Sequence, residues 1–408
     1  MPRISTRTSA QASSCSIPTP WPPSMRSRSS AQARSSGSRR KSEGIRLESQ
    51  NGHSDDAVRG RPCLSVRRSA VPNLAAVMPR LGEIEVRDVG EPVLGAREAA
   101  VEIRSVGICG SDVTYYRVGR IGDWVVDGPL ILGHEASGVV TAVGEDVSRV
   151  AVGDRVAIEP GTPCRDCDDC LRGRYHLCSR LAFLATPPYD GALVQRLAID
   201  ERNLFALPDG LSFDDGAMLE PLSVGIWACR RAGLEPGDRV LVTGAGPVGT
   251  FAAQAARAFG AGSVTMVDVS PFRLEIARTL GFEAESADSP STATFDVLLE
   301  CSGAPGALAQ GLARLGNHGR AAMVGLPKQP VELPLSSLNA RELTVSLVNR
   351  YAHTWPTAID LVASGRVDVR TIVTHHFDLD ATEDALNLSA TDPNSMKAII
   401  HPQAAATV

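Results

Sequence analysis

A strand, a glycine motif and a helix in direct succession constrain this fold more than any other stretch. Asp238 to Thr243 is predicted to be a buried parallel strand, and an alanine-rich helix ends near Phe259. The glycines between them permit a tight turn, close approach of a diphosphate to the backbone, and packing of helix on strand. The helix N-terminus offers free N–H groups to that diphosphate. We predict a dinucleotide-binding loop, with a tight turn that binds nothing as the alternative; its residues are Gly244, Gly246, Pro247, Val248 and Gly249.

The choice between the two common dinucleotides depends on the end of the next strand. Ser263 to Val267 is predicted to be that strand, and Asp268 follows it, nineteen residues after Gly249. A carboxylate there can accept both ribose hydroxyls and repels a 2′-phosphate, which favours NAD over NADP. Arg273 is a competing signal, because a nearby arginine can accommodate that phosphate.

Further strand and helix patterns follow this unit, with strands predicted at 295–300 and 319–325. Alternation of this kind predicts a doubly wound parallel sheet, which we assign to residues 224–344. Cys229 and Cys301 lie in this part, and we interpret both as buried thiols that bind no metal.

Composition excludes several classes of protein. The chain has 408 residues, 43% of them hydrophobic and 4% aromatic, enough for two domains of the α/β type. No apolar run reaches the 18 residues of a membrane span. Residues 1–70 have 13 Lys and Arg against 4 Asp and Glu, or +9, which leaves −14 of the total −5 for the remainder. Nucleic acid is therefore not an expected partner of the acidic part.

Residues 1–70 do not have the pattern of a folded domain. The first 42 residues are rich in Ser, Arg and Pro and contain no acidic residue, so disorder is the default expectation. An organelle transit peptide has a similar composition. A third hypothesis is that translation starts at Val71, which would leave the segment unmade; the mass of the intact native protein distinguishes these cases.

From residue 71 the chain predicts a partly closed β domain, with short strands at 74–77, 84–89, 99–106, 138–144 and 153–158 separated by glycine turns. Its loops contain Cys109, then His134 and Glu135 after an apolar run, and later Glu220 before a proline. A thiolate, an imidazole and carboxylates are the ligands of a zinc ion that keeps one position open. Asp112 is placed to orient the histidine ring. A lone cysteine in the core or a structural histidine is the alternative.

Four of the nine cysteines crowd into fifteen residues: Cys164, Cys167, Cys170 and Cys178. This spacing predicts a closed structural Zn(Cys)4 site, and an iron–sulfur centre or a DNA-binding ribbon is the alternative. Thiols used for metal rather than for disulfides indicate a reducing cytoplasm.

Several strings make this chain resemble a known superfamily, and they span residues 74–400. They are GICGSD at 107–112, GRIG at 119–122, LGHEA at 132–136, AIEPG at 157–161, ATPP at 185–188 and LEPLSVG at 219–225. The chain resembles the zinc-containing medium-chain dehydrogenases/reductases, in particular the polyol branch of sorbitol, xylitol and L-idonate dehydrogenases.

The resemblance implies a GroES-like catalytic domain at 71–223 and 345–402 around the Rossmann domain. It implies that Cys109, His134 and Glu135 bind the catalytic zinc, with Glu220 as a further ligand or as the group that holds a zinc-bound water. Ser111 and Tyr115 would position the substrate or relay a proton, with Glu220 as the other candidate for the relay. Arg350 and Tyr351 would line the substrate pocket. His375 and His376, on a late strand, are expected to bind no metal.

The activity implied is oxidation of a secondary hydroxyl of a polyol to the ketose, with NAD, two zinc ions per chain, and a dimer or tetramer. Sorbitol dehydrogenases that use NAD also have an arginine beside the aspartate, so Arg273 does not alter that expectation. The alternatives are another secondary alcohol, of the 2,3-butanediol or threonine type, and an inactive relative that only binds dinucleotide.

Overall fold

A computed structural model describes residues 71–289, 292–327 and 329–403. The interpretations given to residues 1–70 lie outside this range. The strands are β1 (Leu74–Arg80), β2 (Glu83–Asp88), β3 (Glu98–Gly107), β4 (Arg120–Ile121), β5 (Trp124–Val125), β6 (Leu130–Ile131), β7 (Glu135–Val143), β8 (Arg155–Ile158), β9 (Gly161–Thr162), β10 (Ala182–Phe183), β11 (Arg196–Asp200), β12 (Leu204–Ala206), β13 (Arg239–Thr243), β14 (Ser263–Asp268), β15 (Glu283–Ser286), β16 (Phe295–Glu300), β17 (Leu315–Met323), β18 (Thr344–Leu347), β19 (Val373–Asp378) and β20 (Lys397–His401).

The helices alternate with these strands mainly in the second half of the chain. They are α1 (Gly110–Val118), α2 (Asp168–Leu171), α3 (Phe213–Ala217), α4 (Leu219–Arg231), α5 (Pro247–Ala258), α6 (Pro271–Thr279), α7 (Ala307–Ala313), α8 (Leu335–Ala340), α9 (Trp355–Ala363) and α10 (Thr382–Thr391). Within the described part of the chain, no helix has the length and hydropathy needed to cross a bilayer.

A seven-stranded sheet organises the first half, in the order β12-β8-β7-β3-β20-β19, with β11 also paired to β3. Its pairs are antiparallel except β19 with β20. The long central strands β3 and β7 have alternating and continuous runs of buried Ala, Val and Ile, which suits strands covered on both faces. Because the end of β3 pairs with the start of β7, the loops that follow β3 and precede β7 meet at one edge.

A six-stranded parallel sheet organises the second half, in the order β15-β14-β13-β16-β17-β18. The strand order reverses beside β13, which is the position where open α/β sheets bind ligands at the carboxyl ends of their strands. The predicted Rossmann sheet is thus confirmed. The predicted domain boundary at residue 344 falls inside β18, because Thr344–Leu347 adds a sixth strand to this sheet.

The two halves share one buried core. Helix α4 spans the predicted boundary at residue 223 and packs on α5 and α9. Leu222 and Trp355 are at most 1% exposed in the same apolar cluster as Ile399 of β20. Full burial of each such side chain stabilises the fold by about 1.5–3 kcal/mol. After β18 the chain therefore returns to the first sheet through α9, β19 and β20.

Candidate active site and metal centres

Three predicted ligands meet at the edge where β3 ends and β7 begins. Glu135 is opposite Gly107 in the β3–β7 ladder, and Cys109 follows β3 as the cap residue of α1. The thiol of Cys109, the imidazole of His134 and a carboxylate oxygen of Glu135 lie within 4.8 Å of one another. One sulfur, one nitrogen and one oxygen form a donor set that suits zinc with a position open for substrate.

Asp112 fixes the arrangement of two of these groups. Its side chain is fully buried and accepts hydrogen bonds from the backbone N–H groups of Cys109 (2.9 Å) and Gly133 (3.0 Å). Its Oδ1 also lies 3.4 Å from Nδ1 of His134, which leaves Nε2 of that ring for a metal. Burial alone would lower the pKa of His134, but the Asp112 carboxylate and the Cys109 thiol together outweigh burial and raise it well above its usual range.

Lys397 is a part of this site that sequence reasoning did not find. Its side chain is 3% exposed, its Nζ forms an ion pair with Glu135 Oε2, and the same Nζ donates to the Ile108 carbonyl at 2.9 Å. Burial would lower the pKa of Lys397, but Glu135, Cys109 and Glu220 together more than offset burial and raise it. The sequence shows only a lysine at the start of a short apolar strand, Lys397–His401, which does not by itself indicate an active-site residue.

The remaining oxygen of Glu135 has the environment of a metal ligand. Oε1 is buried and has no hydrogen-bond partner among the described residues. A buried carboxylate oxygen without a partner costs free energy unless a cation satisfies it. Space here is tight, since a Cβ atom at Gly107 would lie 2.1 Å from Oε2 of Glu135. The residues present therefore fit a zinc ion.

Replacement of Lys397 by methionine tests this buried ion pair. We expect Lys397→Met to lower the free energy of unfolding of the zinc-stripped protein by about 3–5 kcal/mol, because it leaves a buried carboxylate without its cation. Denaturant titration with and without zinc measures the effect, and bound zinc should reduce the loss. The double variant Lys397→Met/Glu135→Gln is the control and should recover most of the stability. A loss below about 1 kcal/mol in the stripped protein contradicts the assignment.

Glu220 lies close to the three ligands but outside the set whose atoms are all within 4.8 Å. It is in the first turn of α4, is 5% exposed, and accepts a hydrogen bond from the Tyr351 hydroxyl at 2.9 Å. Burial, with the neighbouring Glu135 carboxylate, raises the pKa of Glu220 to about 7. A carboxylate with that pKa can accept and release protons near neutral pH.

Arg350 lies against aromatic rings above the site. Its guanidinium carbon is 4.2 Å from the ring centroid of Phe183 and 5.4 Å from that of Trp124. The Phe183 ring is in turn 5.7 Å from the ring of His134. Neither aromatic residue was singled out from the sequence. Arg350 thus places a cation, and the two rings place apolar surfaces, beside the ligand cluster. The Tyr351 hydroxyl lies in the same region.

Tyr115 and Ser111 are both on α1, which begins directly after Cys109. Tyr115 is 3% exposed, and burial raises its pKa despite the hydrogen bond from Thr186 and the charge of Arg350. Ser111 is half-buried in the first turn. The structure thus places both predicted residues on the helix that borders the cluster.

The four clustered cysteines form a separate group. Their sulfur atoms lie within 4.8 Å of one another, with Sγ of Cys164 3.4 Å from that of Cys178 and 3.8 Å from that of Cys170. Bonds of about 2.3 Å to a tetrahedral zinc separate the sulfurs by about 3.8 Å. Three of the four are partly exposed and Cys178 is buried. The spacing therefore fits a closed zinc site that shapes the loop.

The predicted dinucleotide loop has the geometry that its glycines require. Gly244 has φ +90°, a Cβ at Gly249 would lie 1.8 Å from the Gly244 carbonyl oxygen, and α5 begins at Pro247. Asp268, at the end of β14, accepts hydrogen bonds from the N–H groups of Ala245 (2.7 Å) and Ser270 (2.8 Å). Nη1 of Arg273 lies 3.8 Å from the position that a Cβ added at Gly246 would take. The loop thus holds the carboxylate beside the entrance to a diphosphate site.

Comparison with known proteins decides the family. Residues 95–209 match the alcohol dehydrogenase GroES-like domain, and residues 247–364 match the zinc-binding dehydrogenase domain. The chain is 41% identical over 343 residues to the sorbitol dehydrogenase of Bacillus subtilis, covering 80% of this chain and 97% of that protein. The chain belongs to the sorbitol dehydrogenase family of zinc-binding dehydrogenases.

Two further relatives agree with this assignment. The L-idonate 5-dehydrogenase of Vitis vinifera is 36% identical to this dehydrogenase over 86% of this chain and 99% of its own. The crystal structure of 2R,3R-butanediol dehydrogenase from Bacillus subtilis superimposes with a TM-score of 0.75 at 27% identity, covering 81% and 100% of the two chains. The predicted superfamily, its fold and the dehydrogenase class are confirmed.

Proposed function

We propose that this dehydrogenase oxidises a secondary hydroxyl of a polyol of the sorbitol, xylitol or L-idonate type to a ketose, with zinc and NAD. The observation that carries the proposal is the convergence of Cys109, His134 and Glu135 beside the buried pair of Glu220 and Tyr351. The sorbitol dehydrogenase of Bacillus subtilis, with 41% identity to this chain, also supports the proposal.

Cys109, His134 and Glu135 would hold the catalytic zinc, and the four-cysteine loop would hold a structural one. Bound zinc supplies Lewis-acid polarisation of an alcohol oxygen, which lowers the pKa of that alcohol. Glu220 stands outside the ligand cluster and has a pKa of about 7, so we assign to it the holding of a water and the acceptance of the proton. The Tyr351 hydroxyl orients this carboxylate at Oε1.

The protein would also orient the polyol. Arg350 offers several N–H donors in a fixed plane, suited to neighbouring hydroxyls, and its guanidinium contacts the rings of Phe183 and Trp124. The Phe183 ring also lies beside the His134 ring, with 5.7 Å between the centroids. Tyr115 and Ser111 lie on α1, which begins directly after Cys109, and are the candidates for contact with substrate hydroxyls or for a proton relay.

A panel of alcohols tests the function directly. We expect NADH formation with sorbitol, xylitol, L-idonate or ribitol at a kcat/KM at least about tenfold above that with 2,3-butanediol or threonine. A preference for 2,3-butanediol would support the other secondary alcohols, as the butanediol dehydrogenase neighbour illustrates. Absence of turnover with every member, in zinc-loaded protein that binds NADH, would support a relative that only binds dinucleotide.

NAD rather than NADP is proposed as the cofactor, because the Asp268 carboxylate lies at the end of β14, where the ribose hydroxyls would bind. Asp268→Ser should lower the NAD to NADP ratio of kcat/KM by at least about tenfold, since hydrogen bonds to a charged group contribute about 1.5–3 kcal/mol. Glu275→Ser, an exposed acid on α6, is the control that should leave the ratio unchanged. An unchanged ratio in Asp268→Ser counts against the assignment.

A homodimer or tetramer is proposed as the assembly. In the described residues, β18 ends the six-stranded sheet with only β17 as a partner. Leu326, Leu335 and Leu347 lie near this edge in the sequence and are 70–72% exposed. An unpaired edge with exposed leucines favours association with a second copy. Light scattering of the purified protein gives the number of chains.

The cytoplasm is proposed as the location of this dehydrogenase. The seven cysteines of the described part form no disulfide, which supports a reducing compartment.

A further inference from the structure

A second group of metal-binding side chains lies away from the cluster of Cys109. His376 is on β19, His401 ends β20, and Asp214 is on α3. The parallel ladder pairs His401 with Asp378, two residues after His376, so both histidines project from the same face of the sheet. The Asp214 carboxylate lies against both histidines on this face.

Both imidazoles point to the same carboxylate. Nε2 of His376 is 3.1 Å from Asp214 Oδ2, and Nε2 of His401 is 2.9 Å from Asp214 Oδ1. All three donor atoms lie within 4.8 Å of one another, and the two rings are stacked at 5.2 Å between centroids. His401 is four residues after Lys397 on β20, about 13 Å along an extended strand, so this group is separate from the catalytic cluster.

We propose that Asp214, His376 and His401 form a third metal site, for a divalent transition-metal ion such as Zn²⁺. A tetrahedral zinc with bonds of about 2.0–2.1 Å separates its ligand atoms by about 3.3 Å. The two N to O separations of 2.9 and 3.1 Å already approach that value. A metal requires only that the two Nε2 atoms give up their protons, which pass to Nδ1 of the rings or to solvent.

The surroundings leave room for the ion and for its remaining ligands. The site borders an open groove lined by Arg104, Ser105, Ser212, Phe213 and Gln403. Arg104 forms an ion pair with Glu102, and Ser105 Oγ donates to Asp214 Oδ1 at 2.6 Å. Asp378 adds a second negative charge near His401. Asp214 and Asp378 thus place two carboxylates near the imidazole of His401, and the groove gives access to water.

The sequence predicted no metal at His376, because adjacent histidines late in the chain do not by themselves indicate a site. The convergence depends on Asp214, 162 residues away, which comes to the sheet only through α3. Metal bound here would link β19 and β20, the strands that return to the first sheet, to α3. Occupancy should therefore raise the thermal stability of the enzyme.

Zinc titration of the enzyme with its resident zinc in place tests the proposal. In a buffer that does not chelate, we expect one further equivalent of Zn²⁺ per chain, measured by competition with a chromophoric chelator, and a rise of a few degrees in Tm. His376→Gln and His401→Gln should each abolish both effects. His376 is half exposed, so its replacement should leave the fold intact.

His375→Gln is the matched control, since His375 is the neighbour on β19 but contacts Thr374 and Asp392 instead. It should retain the extra equivalent and the rise in Tm. Absence of an additional equivalent in the wild-type enzyme overturns the proposal. So does an additional equivalent that persists in both His376→Gln and His401→Gln, because the ion would then be bound elsewhere.

Discussion

Replacement of Cys109 by serine should lower kcat/KM for polyol oxidation by at least about 10³-fold while the fold remains intact. The thiol is one of three donors within 4.8 Å, and a serine hydroxyl does not ionise at neutral pH to replace a thiolate. The variant therefore should lose the catalytic zinc and retain the structural one. The substitution keeps the backbone N–H at position 109, which donates to Asp112, so α1 should keep its first turn.

Zinc content, Tm and steady-state rates of the same preparation measure this result. Cys229→Ser is the matched control. Cys229 is a fully buried thiol whose Sγ contacts the Ala252 carbonyl and belongs to neither group of zinc ligands. It should keep both zinc ions and a rate near that of the wild type. Full activity in Cys109→Ser would refute the assigned ligand.

Replacement of Cys178 by alanine should affect stability far more than catalysis. We expect a loss of about 4 kcal/mol or more in the free energy of unfolding, since a structural zinc contributes its binding free energy to the fold. Cys178 is the buried member of the four, and its sulfur also accepts from the N–H groups of Cys164 and Arg180. The zinc content should fall by one ion per chain.

The four-cysteine loop also borders the pocket, so a modest change in activity is expected. Tyr175 of this loop donates to Glu159 at 2.8 Å, and Nε2 of His353 lies 2.9 Å from the Gly173 carbonyl. We expect kcat/KM of the folded variant at low temperature to fall by less than about tenfold. Cys229→Ala controls for removal of a buried thiol. Unchanged zinc content and unchanged Tm in Cys178→Ala would contradict the structural role.

Local signals in the sequence were enough for much of the fold. The strand, glycine loop and helix at 238–259 form a contiguous unit, so their geometry follows from neighbouring residues. The four cysteines are similarly local. The domain boundary at 344 stays a prediction; whether Thr344–Leu347 joins the parallel sheet depends on pairing with β17 and not on its own pattern.

Groups that meet only through the sheet could not be found in this way. Lys397 reaches Glu135 because β20 pairs with β3, and β3 with β7, across 262 residues of sequence. Arg350 and Phe183 are also far apart in the sequence and meet only in the folded chain. Cys109 and His134 were connected by their residue types, which suit zinc, and by the resemblance to the family, and not by a fixed spacing. Lysine, arginine and phenylalanine are common residues, and their placement depends on tertiary contacts that the sequence pattern does not encode.

The central claim is that the cluster of Cys109, His134 and Glu135 supports zinc-dependent oxidation of a polyol. Its most direct test is the rate of NADH formation from sorbitol, xylitol or L-idonate, followed with zinc content while a chelator removes the metal and Zn²⁺ is then restored. The account predicts that turnover falls to background as the catalytic zinc leaves and returns with about one equivalent of Zn²⁺. Turnover that continues after the zinc has been removed would contradict it.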